Sequence, residues 1–216
     1  GLIDAARFGA SAGNPILGAA DYKLVHHAKN GRAVYSFCMC PGGTVVAATS
    51  EPHRVVTNGM SQYSRNERNA NAGLVGIDLI DYPQDSVAFE QAFGPVAGMK
   101  YAQEAIQLRA FDTQAVHPLA GINLQRQLES RAYLLGGSNY EAPGQLVGEF
   151  IAGQASSSFG SVLPSYKPGV KLGDLHQSLP GYAIAAMREA LPAFGRKIRG
   201  FDMPDAVLTG VETRTS

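Results

Sequence analysis

Tryptophan is absent, and only two cysteines occur in 216 residues. Two thiols cannot build a disulfide scaffold, and their scarcity fits a reducing, cytoplasmic compartment. No run approaches the roughly 18 apolar residues that a membrane span needs. No basic stretch followed by an apolar one marks a signal peptide. Neither charge is in excess: 18 Lys and Arg stand against 18 Asp and Glu, for a formal net charge of +0. That balance gives no support to a nucleic-acid partner or an acidic membrane surface. Gly-x-Gly-x-x-Gly after a strand pattern is missing, and so is a P-loop, so no nucleotide-binding fingerprint is present. The five histidines do not gather. His26 and His27 are neighbours on an expected strand, so their rings point to opposite faces. His53, His117 and His176 are scattered, and no metal site is expected.

What is present describes a packed protein. Hydrophobic residues make up 45% and charged residues 17% of the chain, too apolar for disorder. The length suits one domain with a good core, or two small ones. The 25 glycines imply many turns and close backbone approaches. The chain opens Gly1-Leu2-Ile3 without Met and closes on a strand-like run from Leu208 to Ser216. Both ends read as cuts within a longer polypeptide.

The hydrophobic period changes twice. Leu2 to Phe8 reads as a short helix, followed by a Gly/Ala/Asn/Pro loop. Tyr22–His27, Ala33–Met39, Thr44–Thr49, Arg54–Thr57 and Leu74–Ile80 read as strands. The second and third flank Cys40-Pro41-Gly42-Gly43, the pattern of a hairpin. Met99, Ala102, Ile106 and Ala110 are spaced for a helix, as are Leu124, Leu128, Ala132 and Leu135, with Gly136-Gly137 as the stop. Pro143–Ile151 and Tyr182–Ala193 read as two further helices, with residues 152–178 irregular between them. Lys197–Phe201 and Val207–Thr213 read as returning strands. Pro95-Val96-Ala97-Gly98-Met99 resembles Pro118-Leu119-Ala120-Gly121-Ile122, two similar helix starts rather than a solenoid. The order predicts an α+β fold, an antiparallel sheet or partial barrel. Residues 1–85 are its β-rich part, 86–193 a helical insertion, and 194–216 strands returning to the sheet.

Three segments carry chemistry. In Cys38-Met39-Cys40 the two thiols share a strand face about 6.5–7 Å apart at Cα, at the limit for a disulfide unless the chain bends. The pair reads either as two small buried residues or as thiols near a redox or substrate site. The loop from Asn58 to Asn71 is dense in Asn, Ser and Arg. Such a loop either holds its own turns or grips an anionic or carbonyl-bearing ligand. Gly195-Arg196-Lys197-Ile198-Arg199-Gly200 is a small basic cluster, read as a solvated face. These residues alone specify no reaction.

Longer blocks point to a family. Ser36-Phe37-Cys38-Met39-Cys40-Pro41-Gly42-Gly43, then Val55-Val56-Thr57-Asn58-Gly59-Met60-Ser61, then Arg65-Asn66 and Asn69-Ala70-Asn71, resemble the large bacterial family of uncharacterised FAD-dependent dehydrogenases. Gly136-Gly137-Ser138-Asn139-Tyr140 and Arg188 to Ile198 resemble its later blocks. The similarity covers nearly the whole chain. It implies a flavoprotein of about twice this length or more, an NAD(P)/FAD-dependent oxidoreductase, with the nucleotide-binding glycines outside this segment. It implies that this chain is the middle, substrate-side portion packed over the flavin. The partners implied are the nucleotide-binding domain of the same polypeptide and a small-molecule substrate. On that footing Cys38 and Cys40 are the candidate catalytic residues, and Asn58, Arg65 and Asn69 the candidate flavin- or substrate-side residues. The segment alone is expected to bind FAD weakly and to be inactive. The alternative is a protein-interaction or structural module with no chemistry of its own.

Overall fold

A computed structural model describes residues 2–4, 20–76 and 120–213. The strands are β1 (Leu2–Asp4), β2 (Ala20–His27), β3 (Ala33–Pro41), β4 (Thr44–Ala47), β5 (Thr57–Met60), β6 (Asn69–Gly76), β7 (Ala142–Leu146), β8 (Val170–Leu172) and β9 (Val207–Thr209). The helices are α1 (Ala120–Leu135), α2 (Val147–Ala152) and α3 (Gly181–Lys197). Among the described residues the main sheet runs β2-β3-β6-β1-β9-β7-β8, and β4-β5 form a separate two-stranded piece. Pairing is antiparallel except for β7 with β8. Among the described residues the sheet does not close into a barrel. The fold is α+β, as the order of periods predicts.

Helix α3 covers β2, β3 and β6, and α1 and α2 pack on β7. The interior holds Val34, Phe150, Ile184, Leu191, Phe194 and Val207, each almost fully buried. Burying a side chain of this size contributes roughly 1.5–3 kcal/mol. Phe194 meets Phe201 edge to face at 5.6 Å, which fastens the end of α3 to the chain leading into β9.

Several local readings are corrected by tertiary context. Leu2–Asp4 is a strand, because β6 and β9 offer it edges on both sides. Residues 5–8 of that expected helix, and the helix over Met99–Ala110, lie outside the described residues. Residues 54–56 are not a strand, and β5 begins at Thr57. Pro143 to Leu146 is strand, with helix only from Val147. Gly144 allows this: a side chain there would overlap Val170 and crowd the Leu208 carbonyl. Both β7 and β8 therefore join the main sheet from within the stretch read as helical and irregular. Residues 197–201 are the end of α3 and a turn, not a strand.

The turn at Cys40-Pro41-Gly42-Gly43 forms, closed by Gly43 N–H donating to the Cys40 carbonyl at 3.2 Å. Pro at its second position and Gly42 with φ +62° at its third meet the demands of a type II turn. The flanking strands do not pair as a hairpin. Strand β3 stays with β6 through Cys40↔Asn71 and Pro41↔Ala70, while β4 leaves to pair with β5.

Candidate functional site

The site begins at an irregularity in β3. Its register with β6 slips between Phe37↔Gly73 and Cys40↔Asn71, three residues against two. That is a β-bulge, and Cys38 sits in it with φ +55°. Bulges re-aim side chains and are frequent beside functional sites. Cys38 is exposed and Cys40 is buried, both as free thiols. The Cys40 Sγ lies 3.5 Å from the Cys38 carbonyl oxygen.

The Asn/Arg loop folds over this turn. Arg65 N–H donates to the Gln62 carbonyl at 3.2 Å, and Glu67 N–H donates to the Gly42 carbonyl at 3.3 Å. A side chain at Gly42 would overlap the Arg65 backbone. The loop and the turn are thus in direct backbone contact. Burial pushes the Cys40 thiol above its ordinary value, and the neighbouring Cys38 adds to this. A hydrogen bond donated by the Ser61 side chain to the Cys40 sulfur and the positive charge of Arg65 act in the opposite direction. The net effect keeps Cys40 protonated near neutral pH.

The expected site residues divide by environment. Cys40 and Arg65 are brought together, with Cys38 beside them on the bulge. Asn58 lies on β5 opposite Val46, half-buried, with its amide near the Met60 sulfur. Asn69 is buried, and its Nδ2 donates to the Leu163 carbonyl at 2.6 Å while its Oδ1 accepts from Arg68 Nε at 3.3 Å. Asn69 therefore holds the 159–165 segment and does not face outward.

Two residues outside the expected set complete the site. Asn71 is buried opposite Cys40, and its Nδ2 donates to the carbonyls of Thr44 and Met60, at 3.3 and 3.4 Å. A side chain at Gly43 would come within 2.8 Å of that nitrogen, and one at Gly59 would overlap the Asn71 Oδ1. Both glycines make room for the amide. The sequence signal was the alternation Asn69-Ala70-Asn71, which places two amides on one strand face. Ser61, which bonds Cys40, carried no signal of its own.

Elsewhere, His53, Tyr133 and Tyr140 form a surface cluster. Tyr133 stands edge-on to His53 at 5.5 Å and to Tyr140 at 5.1 Å. It pins the loop before β5 to the end of α1. Among the described residues no three of His, Cys, Asp and Glu gather as a metal site. None of the described helices is long and apolar enough to cross a membrane.

A family model described as FAD-dependent protein, C-terminal domain-like, matches residues 1–116 and 102–215. A protein of Clostridium beijerinckii, named only as an uncharacterized protein, is 41% identical over 216 residues. The match takes in 100% of this chain and 35% of the relative, so the chain spans about a third of that protein's length.

Proposed function

Because the chain belongs to the family of FAD-dependent proteins described as C-terminal domain-like, we propose that it forms the substrate-side part of an FAD-dependent oxidoreductase. The Cys38–Gly43 turn and the loop after β5 face the flavin ring. The observation that carries this reading is the seating of the Arg65 loop on the cysteine turn. It gathers a cation, a hydroxyl and an exposed thiol at one end of the sheet.

The residues present fit one edge of a flavin ring and not the dinucleotide. No two glycines of the chain are separated by a single residue, so the pyrophosphate cradle lies elsewhere in the polypeptide. What FAD supplies when bound is two-electron transfer. This chain's own groups supply position and charge. Arg65, Ser61 and Asn58 are donors held by strands and turns, suited to negative charge on a reduced ring or a substrate carbonyl. Asn69 and Asn71 orient the loop without touching the ligand. Burial of Cys40 favours a packing role for it, which leaves Cys38 as the accessible thiol. The reading implies a small-molecule substrate and, as partner, the nucleotide-binding part of the same polypeptide.

The test uses the full-length polypeptide that carries this segment. It is expected to purify with flavin. Replacing Arg65 with Ala should lower the flavin midpoint potential by roughly 30 mV, which for a two-electron couple is about tenfold. Cys38→Ser should change flavin reduction and reoxidation rates by more than about threefold, roughly 0.65 kcal/mol. An unchanged potential in Arg65→Ala would leave the loop a structural element and remove this reading of it.

A further inference from the structure

Four of the larger exposed apolar residues lie on segments that are hydrogen-bonded around the cysteine turn. Met60 ends β5, is 45% exposed, and has its carbonyl held by Asn71. Tyr63, in the loop seated on Gly42, has essentially its whole side chain in solvent. Leu163 is 51% exposed with its carbonyl held by Asn69, and Phe159 stands two residues before Ser161, whose carbonyl is held by Arg68. Asn69 and Asn71 are two apart on one strand. The segments that carry these groups are therefore fastened at the start of β6, where it pairs with Cys40 and Pro41, and to the turn itself. Single exposed apolar side chains are ordinary, but several gathered beside a polar centre mark an interaction site. Tyr, Met and Phe beside Arg are the residues enriched where protein surfaces meet, and rims that exclude water strengthen the polar contacts inside them.

We propose that Met60, Tyr63, Phe159 and Leu163 form a docking rim that closes against the FAD-binding part of the same polypeptide. This rests on the flavin reading above. The occupant follows from two facts: the matched family describes a C-terminal-like domain of an FAD-dependent protein, and the chain spans only 35% of its Clostridium relative. The other 65% or so of such a protein is available as a tethered partner. Tethering raises its local concentration to about the millimolar range for a short linker, so a modest rim suffices. The rim keeps water from the donors it surrounds, which strengthens their action on developing charge.

Methionine oxidation reads the rim directly. The full-length polypeptide is treated with dilute hydrogen peroxide, and sulfoxide formation is followed at each Met by mass spectrometry. Met39 and Met203, both 4% exposed, set the protected limit. The same protein in denaturant sets the open limit. Met60 is expected to oxidise within about threefold of Met39 and Met203, at every protein concentration. Bound flavin is measured in parallel by absorbance. Met60 oxidising near the open limit overturns the docking rim, whether or not flavin is bound. Protection that appears only as concentration rises assigns the rim to a second copy and overturns the intramolecular proposal. Protection without bound flavin leaves the rim standing and removes the flavin reading instead.

Discussion

At Gly42 a side chain would overlap the Arg65 carbonyl, and the backbone φ is +62°. The overlap excludes any side chain while the loop stays seated, and the positive φ adds strain. At Gly31 φ is +80°, but a side chain would meet nothing within 4 Å. The pair separates conformational strain from collision. Gly31→Ala is expected to cost about 1 kcal/mol through φ alone. Gly42→Ala should cost roughly 3 kcal/mol or more, because strain and overlap add. Urea unfolding of the two variants checks this, and equal shifts in midpoint would mean that the loop moves away freely. Residue chemistry was only partly legible in the sequence. The Pro-Gly turn was readable because φ limits act locally. The sequence reads Asn69 as a flavin- or substrate-side residue, yet it is buried against Leu163, a partner 94 positions away in sequence. Asn71 stands outside the expected set for the same reason: its partners belong to β4 and β5, whose pairing no local pattern announces.

Elements with strong periodic faces were the most legible. In α1 the predicted stripe holds Ala132 fully buried, and the helix stops at Gly136-Gly137, where Gly137 has φ +101° and donates to the Leu134 carbonyl at 3.0 Å. The expected hairpin across Pro41-Gly42-Gly43 failed because β6 already occupies the edge of β3 as far as Pro41. Helix α3 runs past its expected end at Ala193 to Lys197, because Phe194 remains buried in the core. That helix also grips the tip of the β2–β3 hairpin. Glu189 accepts from His26 Nε2 at 3.0 Å and from the Lys29 N–H at 3.2 Å. Asn30 donates to the Tyr182 carbonyl, and the Arg32 guanidinium lies over the Tyr182 ring. The His26 hydrogen bond, followed by that from Lys29 N–H, holds the Glu189 carboxyl below its ordinary 4.5. A depressed carboxylate stabilises the fold above its unfolded value and loses that contribution as pH falls through its folded value. Glu189→Gln should therefore be less stable than the parent at pH 7, and the two should converge as pH drops well below 4.5. Thermal unfolding from pH 7 to pH 3 measures this, and a constant difference across the range would assign the link to packing instead of charge.

Across the whole molecule, segments far apart in sequence meet around one buried carboxylate. Glu129 in α1 is 1% exposed. Its Oε1 accepts from Gln125 Nε2 at 2.9 Å and from Thr213 Oγ1 at 2.7 Å. Its backbone carbonyl accepts the Val55 N–H at 3.1 Å, and Thr57 N–H donates to Val211 at 2.9 Å. The chain leading into β5, the middle of α1 and the stretch after β9 are thereby fixed together. Since β5 leads into the Arg65 loop, this junction sets where the candidate site hangs on the sheet. Removing the carboxylate leaves a half-buried hydroxyl and amide without their acceptor, each costing about 1 kcal/mol, the low end for an unmet donor. Glu129→Ala also leaves a cavity. A loss of roughly 3–5 kcal/mol is expected for Ala, a large part of the usual 5–15 kcal/mol of net stability. Glu129→Gln keeps one acceptor oxygen in nearly the same volume and should lose about half as much. Because α1, β5 and the end of the chain share the junction, the loss should appear in a single cooperative transition with an unchanged denaturant slope. Cys40, buried beside the loop, reports the same event independently. Its labelling by a thiol reagent should accelerate about tenfold for each 1.4 kcal/mol of lost stability, while the exposed Cys38 keeps its parent rate. Labelling of Cys40 that stays at the parent rate in a clearly destabilised Glu129→Ala protein would show that the site is held without the junction, by the Asn71 clamp and the Gly42 contact alone.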